Sequence, residues 1–291
     1  MKQYTGRFAP SPTGDLHFGS LISALASFLD ARAQQGKWLV RIDDLDRERS
    51  ISDSADNVLR SLERLSLHWD DSVLYQRPRS DIYQQALQQL IDQSRVFPCT
   101  CSRHDIRQQE NNLYPGTCHN RPFDPRHKQS WRLYAHDRII RFNDRLFGNY
   151  QQNIKQDIGD FVIVRADGTS SYHLATVIDD HEQGITHVVR GHDLIDSTPR
   201  QILLQQTLTL PTPRYLHIPV AINAVGEKLG KRHQSLSLDQ QSPTGLILDA
   251  LRFLHQAPEQ ALEEASLEEI LAWAIQHWNV KTIPANGTQQ I

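Results

Sequence analysis

Two short apolar runs, Tyr4–Phe8 and Trp38–Ile42, flank a stretch in which Leu21, Leu25, Phe28 and Leu29 recur at helical spacing. Together they predict a buried strand, a helix opening near His17 and a second buried strand, the βαβ unit of a parallel sheet. Two more amphipathic helices are predicted over 53–66, with Val58, Leu59, Leu62 and Leu65 on one face, and over 82–93, with Ala86, Leu87 and Leu90 inward. From Val96 to Asp167 the pattern breaks into short pieces that hold all three cysteines, which reads as an insertion. A strand at Phe161–Val164 and the apolar run Leu174–Ile178 restore the α/β pattern. A strand over 186–189, a helix over 197–208 with Pro199 just inside its start, and a strand over 217–222 follow. The remainder reads as helical from Gly245, with a capping-box start at Ser266-Leu-Glu-Glu269 and a loose tail after Pro284.

The 291 residues suffice for about two domains. A net charge of −3 argues against a chain that coats polyanions generally, so a nucleic-acid partner needs a local basic face. Residues 121–145 offer one: Arg121, Arg126, Lys128, Arg132, Arg138, Arg141 and Arg145 stand against three aspartates, interleaved with Trp131, Tyr134 and Phe142. The C-terminal helices carry Glu259, Glu263, Glu264, Glu268 and Glu269, a face that should repel phosphate. No signal-like segment or membrane-length apolar window is visible, and an odd cysteine count argues against a disulfide framework. A cytoplasmic protein that does not use a membrane is expected.

Chemistry concentrates first in Arg7-Phe-Ala-Pro-Ser-Pro-Thr-Gly14 and the following Asp15-Leu-His-Phe-Gly-Ser20. A proline-stiffened loop running into a helix N-terminus presents free N–H groups and partial positive charge, which suits phosphate. His17 can donate there, and Gly19 lets a flat ring approach the backbone. No Walker loop is present. Gly226-Glu-Lys-Leu-Gly-Lys-Arg232 adds a cationic loop with Lys228 and Lys231 three apart. Arg7 and Arg190 are candidate carboxylate forks, and Asp43, at the end of the second strand, is a candidate anion for an ammonium group. Cys99, Cys101 and Cys118 cluster as metal-binding thiols do, with His104, Tyr114 and His119 as candidate fourth ligands. On ordinary zinc chemistry a histidine is the first choice among these.

The Arg7–Gly14 segment and His17-Phe-Gly-Ser20 resemble the signature of class I aminoacyl-tRNA synthetases, in the form used by their glutamate-specific branch. The lysine loop is similar to that class's second signature, with Gly230 and Arg232 where serines are usual. Asp43 stands where the branch has glutamate, and Thr176 where it often has asparagine. The resemblance implies a Rossmann-like α/β catalytic core in two halves, 1–95 and 168–225. A zinc-bearing α+β insertion would occupy 96–167, and the cationic loop with a small helical domain 226–291, without an anticodon-binding domain. It assigns catalysis to His17 and Lys231. It assigns glutamate binding to Arg7, Ala9, Ser11, Asp43, Tyr172 and Arg190, and ATP binding to Pro10, His17, Gly19, Ser20, Lys228 and Lys231. One Zn²⁺ would sit on Cys99, Cys101, Tyr114 and Cys118, so the resemblance favours the tyrosine. The layout is similar to short members of the branch that act as ligases on tRNA(Asp). These activate L-glutamate with ATP and Mg²⁺ without tRNA, then transfer it to queuosine at the wobble position. A monomer is expected. The alternatives are a truncated glutamyl-tRNA synthetase that charges a tRNA 3′ end and a non-catalytic tRNA-binding paralogue.

Overall fold

The computed structural model describes residues 3–46, 51, 53–107, 113–124, 126–223, 225–228, 238 and 241–290. The opening unit is as the pattern predicts: β1 (Thr5–Phe8), α1 (Phe18–Ala33) and β2 (Lys37–Ile42), with β1 and β2 parallel. The indole of Trp38 on β2 is fully buried and donates to Ser27 Oγ of α1 at 2.9 Å. Then come α2 (Ser54–Arg64), β3 (Leu74–Tyr75), which pairs with β2, α3 (Ser80–Asp92), β4 (Val96–Cys99) and the short α4 (Arg103–Arg107). Strands β5 (Ser130–Leu133), β6 (Ile139–Asp144), β7 (Gly148–Asn153) and β8 (Phe161–Val164) follow. Next are α5 (Tyr172–Glu182), β9 (His187–Gly191), α6 (Thr198–Thr207), β10 (Arg214–Ile218) and β11 (Val220–Ile222). Helices α7 (Pro243–Phe253) and α8 (Leu267–His277) and strand β12 (Thr288–Gln290) end the described chain.

Strands β3-β2-β1 form one parallel sheet, and β9-β10-β6 a second that is extended by antiparallel β7. The two meet at β1 and β9, where Thr186 N–H donates to Thr5 O at 2.9 Å and Thr5 N–H to Thr186 Oγ1 at 2.9 Å. Of residues 96–167, therefore, the β6–β7 hairpin joins the central sheet, while β4-β5-β8 forms a separate antiparallel sheet. One large core packs α1 against β2, α2, α7 and α8; a second gathers α3, α5, α6 and β8. Helices thus cover both faces, as parallel strands require.

Two features differ from the sequence pattern. The apolar stretch 217–222 is two strands, because Pro219 has no N–H to continue the ladder. The tail after Pro284 is not loose: β12 pairs in parallel with β11, and Val220 N–H donates to Gly287 O at 3.1 Å.

A buried carboxylate ties distant segments together. Asp30 of α1, 1 % exposed, accepts from Tyr4 OH, from Arg145 Nη2 at 2.8 Å and from Trp278 Nε1 at 3.0 Å. Among the described residues no helix is long and apolar enough to cross a membrane.

Candidate active site and cysteine cluster

In a parallel sheet with helices on both faces, ligands bind beyond the strand carboxyl ends where the connections diverge to opposite sides. Here that point lies between β1 and β9, and a cavity of about 370 Å³ opens there. Its wall includes Arg7, Ala9, Pro10, Ser11, His17, Gly19, Ser20, Tyr172, Arg190 and Lys228. The first signature segment, Lys228 of the second and the predicted carboxylate forks are therefore brought to one place. Lys231 lies outside the described residues, as do Gly230 and Arg232.

The loop after β1 is braced on several sides. Pro10 O accepts from Asp43 N and Pro12 O from Ile51 N, at 2.9 and 3.0 Å. Ser54 Oγ accepts from Gly14 N–H at 2.9 Å and donates to Gly14 O at 2.7 Å. Gly14, at φ 133°, takes a backbone conformation that a side chain would resist. His17 is the N-cap of α1: its Nδ1 accepts from Ser20 N–H at 3.2 Å. That bond puts the ring proton on Nε2, which lies 3.0 Å from Ser20 Oγ at the cavity wall.

Under this loop lies a buried charge network. Arg7 Nε donates to Asp180 Oδ1 at 3.1 Å, and Arg41 Nη1 to the same oxygen at 2.6 Å. Burial works against the charge on Asp180, but the two arginines hold its carboxyl below the ordinary range. Asp43 is not in the cavity wall; its carboxylate accepts from Arg41 Nε at 2.8 Å. Burial lifts its pKa to about 6, against the pull of Arg41. Arg190, 5 % exposed, donates to Tyr172 OH at 3.2 Å, so two predicted glutamate ligands touch each other. The Thr176 hydroxyl is buried with no hydrogen-bond partner among the described residues.

Several contacts at the cavity carry no sequence signal. Lys228 Nζ pairs with Asp193 Oδ2 at 2.6 Å, and both side chains line the cavity. Thr198, Gln201 and His217 all bond to Arg190, from α6 and β10. Only the buried acid pair Asp179-Asp180, ending an apolar helical run, could have flagged the network from sequence.

The three thiols lie far along the chain from the cavity residues but close to each other: their sulfurs fall within 4.8 Å, and Cys101 and Cys118 are 3.6 Å apart. Tyr114 OH is 3.6 Å from Cys99 Sγ and accepts from Cys118 N–H at 2.7 Å. His119 instead lies with Nε2 at 2.5 Å from Asp160 Oδ2. Burial opposes ionisation of Cys118, yet hydrogen bonds from Tyr114 and Thr100 draw its pKa down to about 6. Burial and the neighbouring sulfurs push Cys101 up to about 11. Of the predicted basic face, Arg121, Arg126, Lys128, Arg138 and Arg141 are exposed. Arg132 is buried and donates to Cys99 Sγ at 3.2 Å, and Arg145, though exposed, has its guanidinium on the buried Asp30.

Residues 3–270 match the family model for class I tRNA synthetases (E and Q), catalytic domain. The chain is 48 % identical over 282 residues to the glutamyl-Q tRNA(Asp) synthetase of Methylococcus capsulatus, covering 97 % of this chain and 93 % of that one. It is 46 % identical over 286 residues to the protein of the same name from Thiobacillus denitrificans, covering 97 % and 95 %. In three dimensions it is similar to a glutamate tRNA ligase from Elizabethkingia meningosepticum, solved in complex with its amino acid. The TM-score is 0.82 at 23 % identity, over 99 % of this chain and 67 % of that one. The glutamate-tRNA synthetase of Elizabethkingia anophelis gives the same TM-score of 0.82 at 24 % identity, over 100 % and 68 %.

Proposed function

The chain belongs to the class I tRNA synthetases of the E and Q branch, and from that premise we propose that it is a ligase that glutamylates queuosine in tRNA(Asp). In the first step a carboxylate oxygen of L-glutamate attacks the α-phosphorus of ATP, forming glutamyl-adenylate and releasing pyrophosphate, without tRNA. In the second, a hydroxyl of the queuosine cyclopentenediol at the wobble position attacks the mixed anhydride, and AMP leaves.

The observation that carries this reading is the shared cavity. Arg7, Tyr172 and Arg190 lie on the same wall as the α1 N-terminus and Lys228, so carboxylate ligands and phosphate ligands face one volume. Arg7 and Arg190 hold the carboxylates, with Ala9 and Ser11 on the loop beside them, and Asp43, behind the cavity wall, is assigned to the ammonium. Pro10, Gly19 and Ser20 shape the adenosine and phosphate side. His17 carries a proton on Nε2 for phosphate oxygen. Lys228 and Lys231, with Mg²⁺ on the triphosphate, offset the charge that builds on the leaving pyrophosphate.

The cysteine cluster fits a tetrahedral zinc ion. Zinc–sulfur bonds of about 2.3 Å place ligand sulfurs roughly 3.8 Å apart, and Cys101 and Cys118 already stand at 3.6 Å. Cys99, Cys101, Cys118 and the Tyr114 hydroxyl would hold it, since Asp160 already engages His119. Its part would be to cross-link the segment beside the basic face.

Glutamate-dependent pyrophosphate exchange without tRNA tests the first step, and absence of exchange with ATP and Mg²⁺ present would sink the catalytic reading. Transfer to tRNA(Asp) with and without queuosine tests the second. Transfer only to the queuosine form is expected. Equal transfer to both, or transfer to tRNA(Glu), would identify an enzyme that charges a 3′ end.

A further inference from the structure

Arg7 and Arg190 face the same cavity but are held in opposite ways. Arg7 has an anion in contact, Asp180. Among the described residues Arg190 has only neutral partners. Its Nε donates to His217 Nε2 at 3.1 Å, its Nη1 to Tyr172 OH at 3.2 Å and to Gln201 Oε1 at 2.9 Å, and its Nη2 to Thr198 Oγ1 at 2.7 Å. Four of its five N–H groups are thereby fixed, while its positive charge has no anion in contact among the described residues. A carboxylate is what such a group lacks.

The orientation of this fork depends on a nitrogen lone pair, and the lone pair depends on Asp144. His217 is fully buried, and its Nδ1 lies 2.7 Å from Asp144 Oδ2. The same oxygen accepts from His217 backbone N–H at 3.1 Å. The other oxygen accepts from Leu146 N–H and Phe147 N–H, each at 3.0 Å. With N–H groups on every side, Asp144 is an acceptor throughout, so Nδ1 must carry the ring proton. In a neutral imidazole the opposite nitrogen is then an acceptor, which Arg190 Nε–H requires. Burial keeps the ring neutral, with its pKa pushed down to about 4.

We propose that Asp144 and His217 are positioning residues for the side-chain carboxylate of the amino acid. Asp144 sets the tautomer of His217, and His217 sets the plane of Arg190, so that the cavity takes glutamate rather than glutamine. This deepens the glutamate reading above and rests on it.

Three variants test it: Asp144→Asn, His217→Leu and His217→Gln. Asparagine keeps the volume of Asp144 but cannot accept on both sides. Its amide nitrogen, turned to the ring, moves the ring proton to Nε2 and sets donor against donor at Arg190, as a carboxylate-to-amide change does in a catalytic triad. In pyrophosphate exchange, Asp144→Asn and His217→Leu should raise KM for glutamate about tenfold or more, the scale of one charged hydrogen bond. KM for ATP should stay within about twofold, and the glutamate-to-glutamine ratio of kcat/KM should fall by a similar tenfold factor. His217→Gln, whose amide oxygen can accept from Arg190, should recover most of the loss. Thermal unfolding identifies folded variants, and Asp144→Asn decides alone if the leucine variant does not fold. A folded Asp144→Asn protein with wild-type KM for glutamate and wild-type discrimination would overturn the proposal. So would KM values for glutamate and ATP that rise together. A wild-type protein with no glutamate-dependent exchange would instead remove the parent reading, and this inference with it.

Discussion

The cysteine cluster makes a prediction that separates local from global stability. The perturbation is Cys101→Ser, or removal of the metal with a chelator. The small core there buries Phe97, Cys99, Tyr114 and Cys118, so apart from the sulfurs its buried part is two aromatic rings, with Ile106 and Tyr134 half-buried against them. Each ring contributes about 2–3 kcal/mol by burial. Joining Cys99 to Cys118 through a metal closes a loop of roughly 20 residues, a constraint worth about 3 kcal/mol. Loss of the metal should therefore raise the open population of this segment about a hundredfold. The two large cores share no residue with this one, so the main thermal transition should move little. Limited proteolysis reads the local term: cleavage between Cys99 and Cys118 should accelerate strongly in the variant. Glutamyl-adenylate formation should survive, because none of its ligands lies in the segment, while transfer to tRNA should fall. Zinc content measured on wild type and variant completes the test. Full zinc in Cys101→Ser, or equal cleavage with and without metal, would refute the reasoning.

Two further outcomes follow from the proposed function. Burial raises Asp43 to about 6, above an ordinary carboxylate, so its charge is lost as pH falls through 6. Any stability tied to this shift has the opposite sense: it is present at low pH and lost as pH rises through 6. Glutamate KM in pyrophosphate exchange should thus rise about tenfold between pH 7.5 and pH 5, and Asp43→Asn should abolish that dependence while binding glutamate weakly throughout. A flat wild-type profile would remove Asp43 as the ammonium partner. Lys231→Ala should lower kcat for exchange about a hundredfold with little change in glutamate KM, since its charge is needed where pyrophosphate leaves; a change in KM alone would assign it to ground-state binding.

The sequence pattern located most of the fold because long amphipathic and buried segments carry their own signal. Leu21, Leu25, Phe28 and Leu29 mark α1, and Phe161–Val164 is a strand with the expected bounds. The Ser266–Glu269 capping box stands at the start of α8. Strand β12 was not legible, since Thr288–Gln290 is short and polar and becomes a strand only by pairing with β11. The cavity residues were legible as types: an arginine reads as a carboxylate fork and a glycine-rich lysine loop as a phosphate contact. What holds them was not. The partners of Arg190 come from positions 172 to 217, Asp144 joins them through His217, and all meet only in three dimensions. Charge counting fails for the same reason: Arg132 and Arg145 add to a basic face on paper, yet in the fold both guanidinium groups engage buried partners.

Asp30 has a consequence for how the molecule comes apart. One carboxylate joins the start of β1, helix α1, the residue after β6 and the turn beyond α8. Helices α7 and α8 also fill the same core as α1 and β2. Peeling away the C-terminal helices would strip the opening βαβ unit of its apolar cover and leave a buried anion short of a donor. The last helices and the first strand should therefore melt as one calorimetric unit, although almost the whole length of the chain separates them.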